Sequence, residues 1–343
     1  MNKRQINIGI IGAGENTKKR HIPGLQGIEG VTILGVCNRS VESSAAVAKQ
    51  FGISKTYRRW QDVIYDPEID ALVIGTWPCL HAPATLLALE HDKHVLCEAR
   101  MAMNADEAHR MLAASQAKPH LVTQIVPSPF TLHLDRAIQR ILAEDHIGRP
   151  LAIEVRDGGT FLDTTAPLHW RQDFDKSGYN VMSLGILYEC IMRWLGEATA
   201  VVAMGKVFAP MRRDESKMLK AVRIPDHLDV IADMACGAQM HMQISQIAGM
   251  AAPGEIYIFG DKGTLRISEG NIYGVQKGGK EFLEIPVPPG FESHWRVEEE
   301  FIGAVRGEEE IKLTTFETGV KYMEFTEAVT KSMQSGQKIS LPL

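Results

Sequence analysis

The sequence predicts an α/β protein: a doubly wound parallel sheet first, then an α+β domain carrying a large, mostly antiparallel open sheet. Three observations carry this. Strand-length apolar runs alternate with helical patterns through short connections as far as Ile125, the grammar of βαβ units. Beyond Val126, strands follow one another through turns, the grammar of an antiparallel sheet. A Gly-x-Gly turn closes the first apolar run, and the length of 343 residues suits two domains.

The first run, 6–11, is rich in β-branched residues and ends at Gly12-Ala13-Gly14. Such a turn lets the backbone approach a pyrophosphate, whose charge rests on the next helix N-terminus. A third glycine would fall at Thr17 and is absent, and a lone Gly-x-Gly equally fits an ordinary strand-to-helix turn. Residues 15–27 read as the first helix, its regular part starting near Pro23. Strands follow at 31–37, 55–57, 71–75, 94–97 and 121–125. Between them lie helices at 41–51, closed by Gly52, at 59–65, at 83–90, and at 105–117 behind an Asn104 cap. Val126-Pro127-Ser128-Pro129 marks the boundary, giving domains 1–125 and 126–343. The second domain reads as helix 132–143, strand 151–155, a helix over 185–195 with its start as early as Asn180, and strands 200–207, 228–236, 239–246, 255–259 and 264–268. Gly260-Asp261-Lys262-Gly263 is a hairpin signal, and helices at 293–306 and 316–333 end the chain.

Composition narrows the function classes. A net charge of −5 gives no reason to expect nucleic acid or a membrane surface as partner. The five cysteines (Cys37, Cys79, Cys97, Cys190, Cys236) are odd in number and scattered, which favours free thiols over a disulfide framework or zinc. His91-Asp92-Lys93-His94 reads as a surface turn and Met240-His241-Met242 as an alternating strand, so no metal is expected. Lys3-Arg4 precede an apolar run too short for a secretory signal, and no stretch reaches the ~20 apolar residues of a membrane span. The expectation is a cytoplasmic protein with a small-molecule substrate. Glu298-Glu299-Glu300 reads as a solvated first turn favoured by the helix dipole.

Asn38-Arg39-Ser40 ends the second strand, where an acidic residue would bind a ribose 2′-hydroxyl and an arginine a 2′-phosphate. With no acid present, this tripeptide favours NADP(H) over NAD(H); the plain alternative is that Arg39 is a solvated helix-entry residue.

Several motifs together carry a resemblance: the glycine turn, His21-Ile22-Pro23, Thr76-Trp77-Pro78-Cys79-Leu80-His81, Lys93-His94-Val95-Leu96-Cys97-Glu98, Trp170-Arg171, Ser177-Gly178-Tyr179-Asn180, Leu184-Gly185 and Arg193-Trp194-Leu195-Gly196. In order and spacing the chain resembles the Gfo/Idh/MocA family, which includes glucose–fructose oxidoreductase and inositol dehydrogenase. The resemblance implies an N-terminal Rossmann domain, a C-terminal α/β domain, and homodimers or homotetramers assembled through the C-terminal sheet. It also implies a nicotinamide cofactor at Gly12, Ala13, Gly14, Glu15, Asn16, Asn38, Arg39, Ser40, Thr76, Trp77, His81, Glu98, Ala99 and Gln124, with His81 either capping its helix or touching the cofactor. The implied substrate is a sugar, polyol or related hydroxyl or carbonyl compound.

The chain departs from the family where the chemistry sits. The family's Glu-Lys-Pro motif falls on Glu98-Ala99-Arg100, and its Asp-x-x-x-His pair falls on Ser183 and Leu187. Hydride transfer from an alcohol needs a group to take the hydroxyl proton. Ala99 and Leu187 cannot serve, and Arg100 stays protonated. Tyr188, Arg100 and His169 are the remaining catalytic candidates, with Arg100, Trp170, Arg171, Asn180, Ser183 and Leu187 facing substrate; Asp173, Tyr179, Glu189 and His81 are further candidates. Each also fits a hydrogen-bonded structural residue. The expected function is an NAD(P)-dependent oxidoreductase with a non-standard acid–base set. Two alternatives stay open: a non-catalytic dinucleotide-binding sensor or assembly protein, and a cofactor-retaining glycoside-cleaving variant.

Overall fold

The structure, a computed structural model, describes residues 4–251 and 254–343, so Lys3 of the short basic lead lies outside it. Contacts divide the chain into two compact units: the chain up to Pro127 together with Arg296–Val320, and Ser128–Trp295 together with Lys321–Leu343.

The first unit opens with β1 (Ile6–Ile11), a π-type turn over Thr17–His21 and α1 (Ile22–Gln26). There follow β2 (Val31–Cys37), α2 (Val41–Phe51), β3 (Lys55–Thr56), α3 (Trp60–Tyr65), β4 (Ala71–Ile74), α4 (Pro78–Glu90), β5 (His94–Cys97), α5 (Ala105–Gln116) and β6 (Thr123–Ile125). The six strands are all parallel in the order β3-β2-β1-β4-β5-β6. Sheet order reverses between β1 and β4, so the turns after these two strands flank the crevice where such folds take ligands. Ile8, Ile10, Val36, Leu72, Val73 and Leu96 are fully buried, as strands covered on both faces require. Asn104 caps α5 by accepting the Glu107 N–H, as expected. Helix α4 starts five residues earlier than the expected 83, and Pro83 lies inside it. Pro78 suits the first turn, and burial of Ala82, Ala84, Thr85, Ala88 and Leu89 sustains the helix past the proline.

The second unit contains α6 (Asp135–Ala143), β7 (Pro150–Gly159), a 3₁₀ turn (Trp170–Gln172), α7 (Phe174–Ser177) and α8 (Leu184–Leu195). Then come β8 (Ala198–Lys206), β9 (Met211–Arg213), β10 (Leu219–Ala221), β11 (His227–Met234), β12 (Gln239–Gly249), β13 (Glu255–Gly260), β14 (Gly263–Ser268), β15 (Asn271–Gln276) and β16 (Leu283–Glu284). The chain ends with α9 (Val297–Val305), α10 (Phe316–Ser335) and β17 (Ile339–Ser340). Nine strands form one sheet, β16-β15-β14-β13-β7-β12-β11-β8-β17, in which only β7 and β12 pair in parallel. Alternate residues are buried, among them Ile153 and Val155 on β7, Met240 and Met242 on β12, Ile256 and Ile258 on β13. Strands β9, β10, β16 and β17, of two or three residues each, are too short to show a periodic pattern and escaped the sequence reading, as did β15, whose run is broken by Gly274.

One boundary is corrected. The single cut between 125 and 126 misses that Arg296–Val320, with α9, returns to the first unit. The Ile125 N–H donates to the Thr314 carbonyl, and Gln124 and His21 bond Glu300 and Glu298 on α9. Among the described residues, no helix is long and apolar enough to cross a membrane.

Candidate functional site

The glycine turn forms a close-packed cradle. Gly12 has φ +84°, and a Cβ there would lie 2.8–2.9 Å from Thr76 atoms, backbone included. A Cβ on Gly14 would meet the Gly75 carbonyl at 3.3 Å. The absent third glycine is compensated from the facing strand: Thr17 packs on Gly75, where a Cβ would sit 2.2 Å from its Oγ1. Gly14 and Glu15 are exposed at the tip. The Ala13 N–H donates to Asn38 Oδ1 at 2.6 Å, so Asn38 braces the turn from the end of β2. Ser40 accepts the Ser43 N–H as the cap of α2, so its acceptor role is taken by the helix. Arg39 is exposed, its guanidinium 5.8 Å from the Trp77 ring centre.

Behind this turn lies a buried charged chain. Asn16 Nδ2 donates to Glu98 Oε1 at 2.5 Å, His21 Nε2 stands 3.0 Å from the same oxygen, and His21 Nδ1 stands 2.5 Å from Glu298 Oε1. Burial alone would lower the His21 pKa. Hydrogen bonds and charge from Glu298 and Glu98 outweigh it and raise it to about 9, so an imidazolium bridges two carboxylates. Burial opposes the charged form of Glu98, yet its bonds to His21 and Asn16 hold it below the ordinary carboxylate value. The expectation of a solvated Glu298-Glu299-Glu300 is corrected: Glu298 and Glu300 are buried and only Glu299 is exposed. Glu298 shares a helix face with Phe301, Ile302 and Val305, a spacing from which its burial was readable.

Other expected cofactor contacts point inward. Gln124 is buried and donates to Glu300 Oε2 at 2.7 Å, and burial pushes the Glu300 carboxyl up. His81 lies inside α4 with its ring nitrogens 2.9 Å from the Arg100 carbonyl and 3.1 Å from the Thr76 carbonyl, and burial lowers its pKa. It ties the turn after β4 to the segment after β5; it does not cap the helix. The Arg100 side chain, expected as a substrate anchor, is 2% exposed. Ala99 is half-buried, its N–H donating to Glu98 Oε2.

In the second unit the leading catalytic candidate is corrected. Tyr188 is 1% exposed and stacked on Phe325 at 3.6 Å, and its hydroxyl accepts the Ala198 N–H. Burial pushes the phenol well above its ordinary value, so it is a core residue and not a proton acceptor. Glu189 is buried too, accepting the Ser128 N–H and pairing with Arg193. His169 caps the 3₁₀ turn by accepting the Arg171 N–H, and Arg171 covers the Trp170 ring at 4.1 Å. Asn180 is buried and donates to the Ser177 carbonyl.

Ser183, just before α8, donates to Asp157 Oδ2 on β7. Asp157 and Leu187 line a cavity of about 270 Å³ with Phe130, Thr131, Leu134, Gly254, Ile256, Ile267, Ser268, Glu269 and Gly270. Of these lining residues, only Leu187 was singled out from the sequence. Among the described residues no cluster of three or more His, Cys, Asp or Glu suits a metal ion.

Two family models match the chain: an oxidoreductase family with an NAD-binding Rossmann fold (GFO/IDH/MocA) over residues 6–125, and the GFO/IDH/MocA C-terminal domain over 136–266. A 1,5-anhydro-D-fructose reductase of Ensifer adhaerens is 32% identical over 178 residues, 51% of each chain. A levoglucosan dehydrogenase of Pseudarthrobacter phenanthrenivorans is 29% identical over 186 residues, 52% of this chain and 46% of that one. The matches thus span about half the length of these curated relatives. A levoglucosan dehydrogenase structure with NADH and L-sorbose superposes with a TM-score of 0.84, 20% identity, and 98% and 99% coverage of this chain and that one. At that identity the likeness establishes the fold.

Proposed function

Because the chain belongs to the Gfo/Idh/MocA oxidoreductase family, we propose that it is an NAD(P)-dependent oxidoreductase acting on a sugar, polyol or related hydroxyl or carbonyl compound, with a non-standard acid–base set. The observation that carries the reading is the cradle at the sheet's switch point. Gly12 leaves no room for a side chain, Gly14 has the Gly75 carbonyl close above it, and Gly14 and Glu15 lie exposed where a helical segment begins. A pyrophosphate fits such a turn. When bound, a nicotinamide ring supplies hydride acceptance or return, and the protein supplies the proton path.

Preference for NADP(H) follows from charge. Arg39 is exposed at the end of β2, and neither Asn38 nor Ser40 carries a charge to repel a 2′-phosphate. Two measurements test the proposal. In fluorescence titration the wild type binds NADPH at least tenfold tighter than NADH, and Arg39→Asp reverses the order; equal affinities in the wild type refute the phosphate role. A panel of cyclic sugars and polyols with NADP⁺, and the matching ketoses with NADPH, is followed at the reduced-nicotinamide absorbance. Tight cofactor binding with no absorbance change across the panel favours the sensor alternative.

A further inference from the structure

Behind the glycine turn a fully buried histidine stands between two carboxylates, and every member of the group belongs to the first unit, since Glu298 lies on the returning α9. Resting on the cofactor reading above, we propose that His21 and Glu298 are positioning residues for the dinucleotide site, and that dinucleotide binding at the glycine turn is coupled to a proton on the His21 ring.

The connection to the turn is direct. Asn16 lies two residues past Gly14, and its side-chain amide donates to Glu98 Oε1 at 2.5 Å. His21 Nε2 stands 3.0 Å from that same oxygen, and Nδ1 stands 2.5 Å from Glu298 Oε1. Glu98 Oε2 accepts the Ala99 N–H. One carboxylate therefore ties the turn after β1 to the segment after β5, and His21 ties both to α9. Glu298 packs against Gly24, where a Cβ would fall 2.9 Å from its Cγ. Two residues along α9, Glu300 accepts from Gln124 and from the Lys312 N–H, which pins the helix to the same unit.

Both ring nitrogens of His21 face carboxylate oxygens, so both donate only when the ring is an imidazolium. A neutral ring has one N–H. Whichever carboxylate loses its donor then faces a lone pair, in a place where water does not replace the bond. The brace on Asn16 is loosened at its far end. Charge acts in the same direction. Two carboxylates and one imidazolium carry one net negative charge; without the proton they carry two, which disfavours an anionic pyrophosphate at the turn. The other charged groups on these elements play different parts. His81 faces Glu98 from α4, but burial favours its neutral ring. Arg100 is buried two positions beyond Glu98. On α9, Glu299 is exposed, and Arg296 just before the helix pairs with Glu309. Glu15, Lys18 and Lys19 beside the turn are exposed, and Arg20 is half-buried. The proton on His21 leaves at about pH 9, within reach of a binding experiment.

Fluorescence titration of NADPH from pH 7.5 to 10 tests the coupling in wild type, His21→Gln and Glu298→Gln, with circular dichroism at each pH to follow folding. For an about tenfold preference for the protonated site, the wild-type Kd rises about fivefold over this range. Glu298→Gln removes one of the two carboxylates that hold the proton, so its rise comes at lower pH. His21→Gln binds more weakly at pH 7.5, and its Kd is flat. Reciprocity gives a readout that needs no variant. NADPH binding at pH 9, titrated calorimetrically in two buffers of different ionisation enthalpy, takes up about 0.4 proton per dinucleotide. A merely structural histidine would weaken binding when replaced, but neither the proton count nor the pH midpoint would follow from it. A flat wild-type Kd without proton uptake overturns the proposal and leaves the cofactor reading standing. A wild-type pH profile retained in His21→Gln also overturns it, because the proton then sits elsewhere. Failure of the wild type to bind NADPH or NADH at pH 7.5 overturns the cofactor reading and the proposal with it.

Discussion

Around the Gly12–Asn16 turn the polar side chains are bound to one another: Asn38 to Ala13, Asn16 to Glu98, Glu98 to His21, His21 to Glu298. Around Asp157 the cavity wall is mostly apolar, and the Ser183 hydroxyl donates to the Asp157 carboxylate. The first region holds its shape through its own charges and offers a ligand mainly backbone. The second offers a mostly apolar cavity with the carboxylates of Asp157 and Glu269 in its lining.

The comparison breaks most visibly at His21. Replacing it with Leu leaves Glu98 and Glu298 buried without the cation between them, a cost of about 3–5 kcal/mol. The sign with pH follows from the shift. His21 is raised from 6.5 to about 9, so the folded state keeps a proton that the unfolded chain has lost. Its contribution, on the order of 3 kcal/mol, is complete below the unfolded value and is lost as pH rises through about 9. Urea unfolding across that window should show wild-type stability falling, with His21→Leu flat in comparison; a flat wild-type profile refutes the bridging imidazolium. The next effect is steric. Gly12→Ala places a Cβ against Thr76 at positive φ and should cost about 2–3 kcal/mol, with at least thirtyfold weaker NADPH binding. Gly14→Ala meets only the Gly75 carbonyl at 3.3 Å, and should cost less than about 1 kcal/mol. If both variants bind NADPH like the wild type, the cradle does not hold the cofactor.

What could be read from the sequence follows the same divide. The parallel sheet, the glycine turn, the helix end at Gly52 and the cap at Asn104 depend on residues close in sequence, and the structure has each of them. Glu298 escaped because its partner His21 lies 277 positions away, although its spacing from Phe301 and Ile302 already placed it on the buried face. Tyr188 was misread because the sequence shows it beside Leu187 but not the Phe325 ring, 137 residues on, against which it stacks. Asp157 escaped for the opposite reason: the expected strand stopped at 155, and Ser183 meets it only once β7 and α8 are in place. Local chemistry announces itself in short motifs. A carboxylate delivered by strand register does not.

The smallest effect concerns the opposite face of the same nine-stranded sheet. Val202 on β8 and Ile231 on β11 are exposed and directly paired across strands, and Met204 beside them is 79% exposed. Neighbouring exposed apolar side chains on a sheet face suit contact with another chain. We propose that a second copy of this chain covers it, giving a dimer or a tetramer. Val202→Asp with Ile231→Asp puts two carboxylates directly opposite each other on that face, where like charges also repel across a two-fold contact. Light scattering during gel filtration should give a multimer for the wild type and a monomer for the double variant. The cost within the isolated chain should stay near 1 kcal/mol, because both side chains are solvated there. A wild type that elutes as a monomer removes the proposal, and a double variant that stays multimeric moves the interface away from this face.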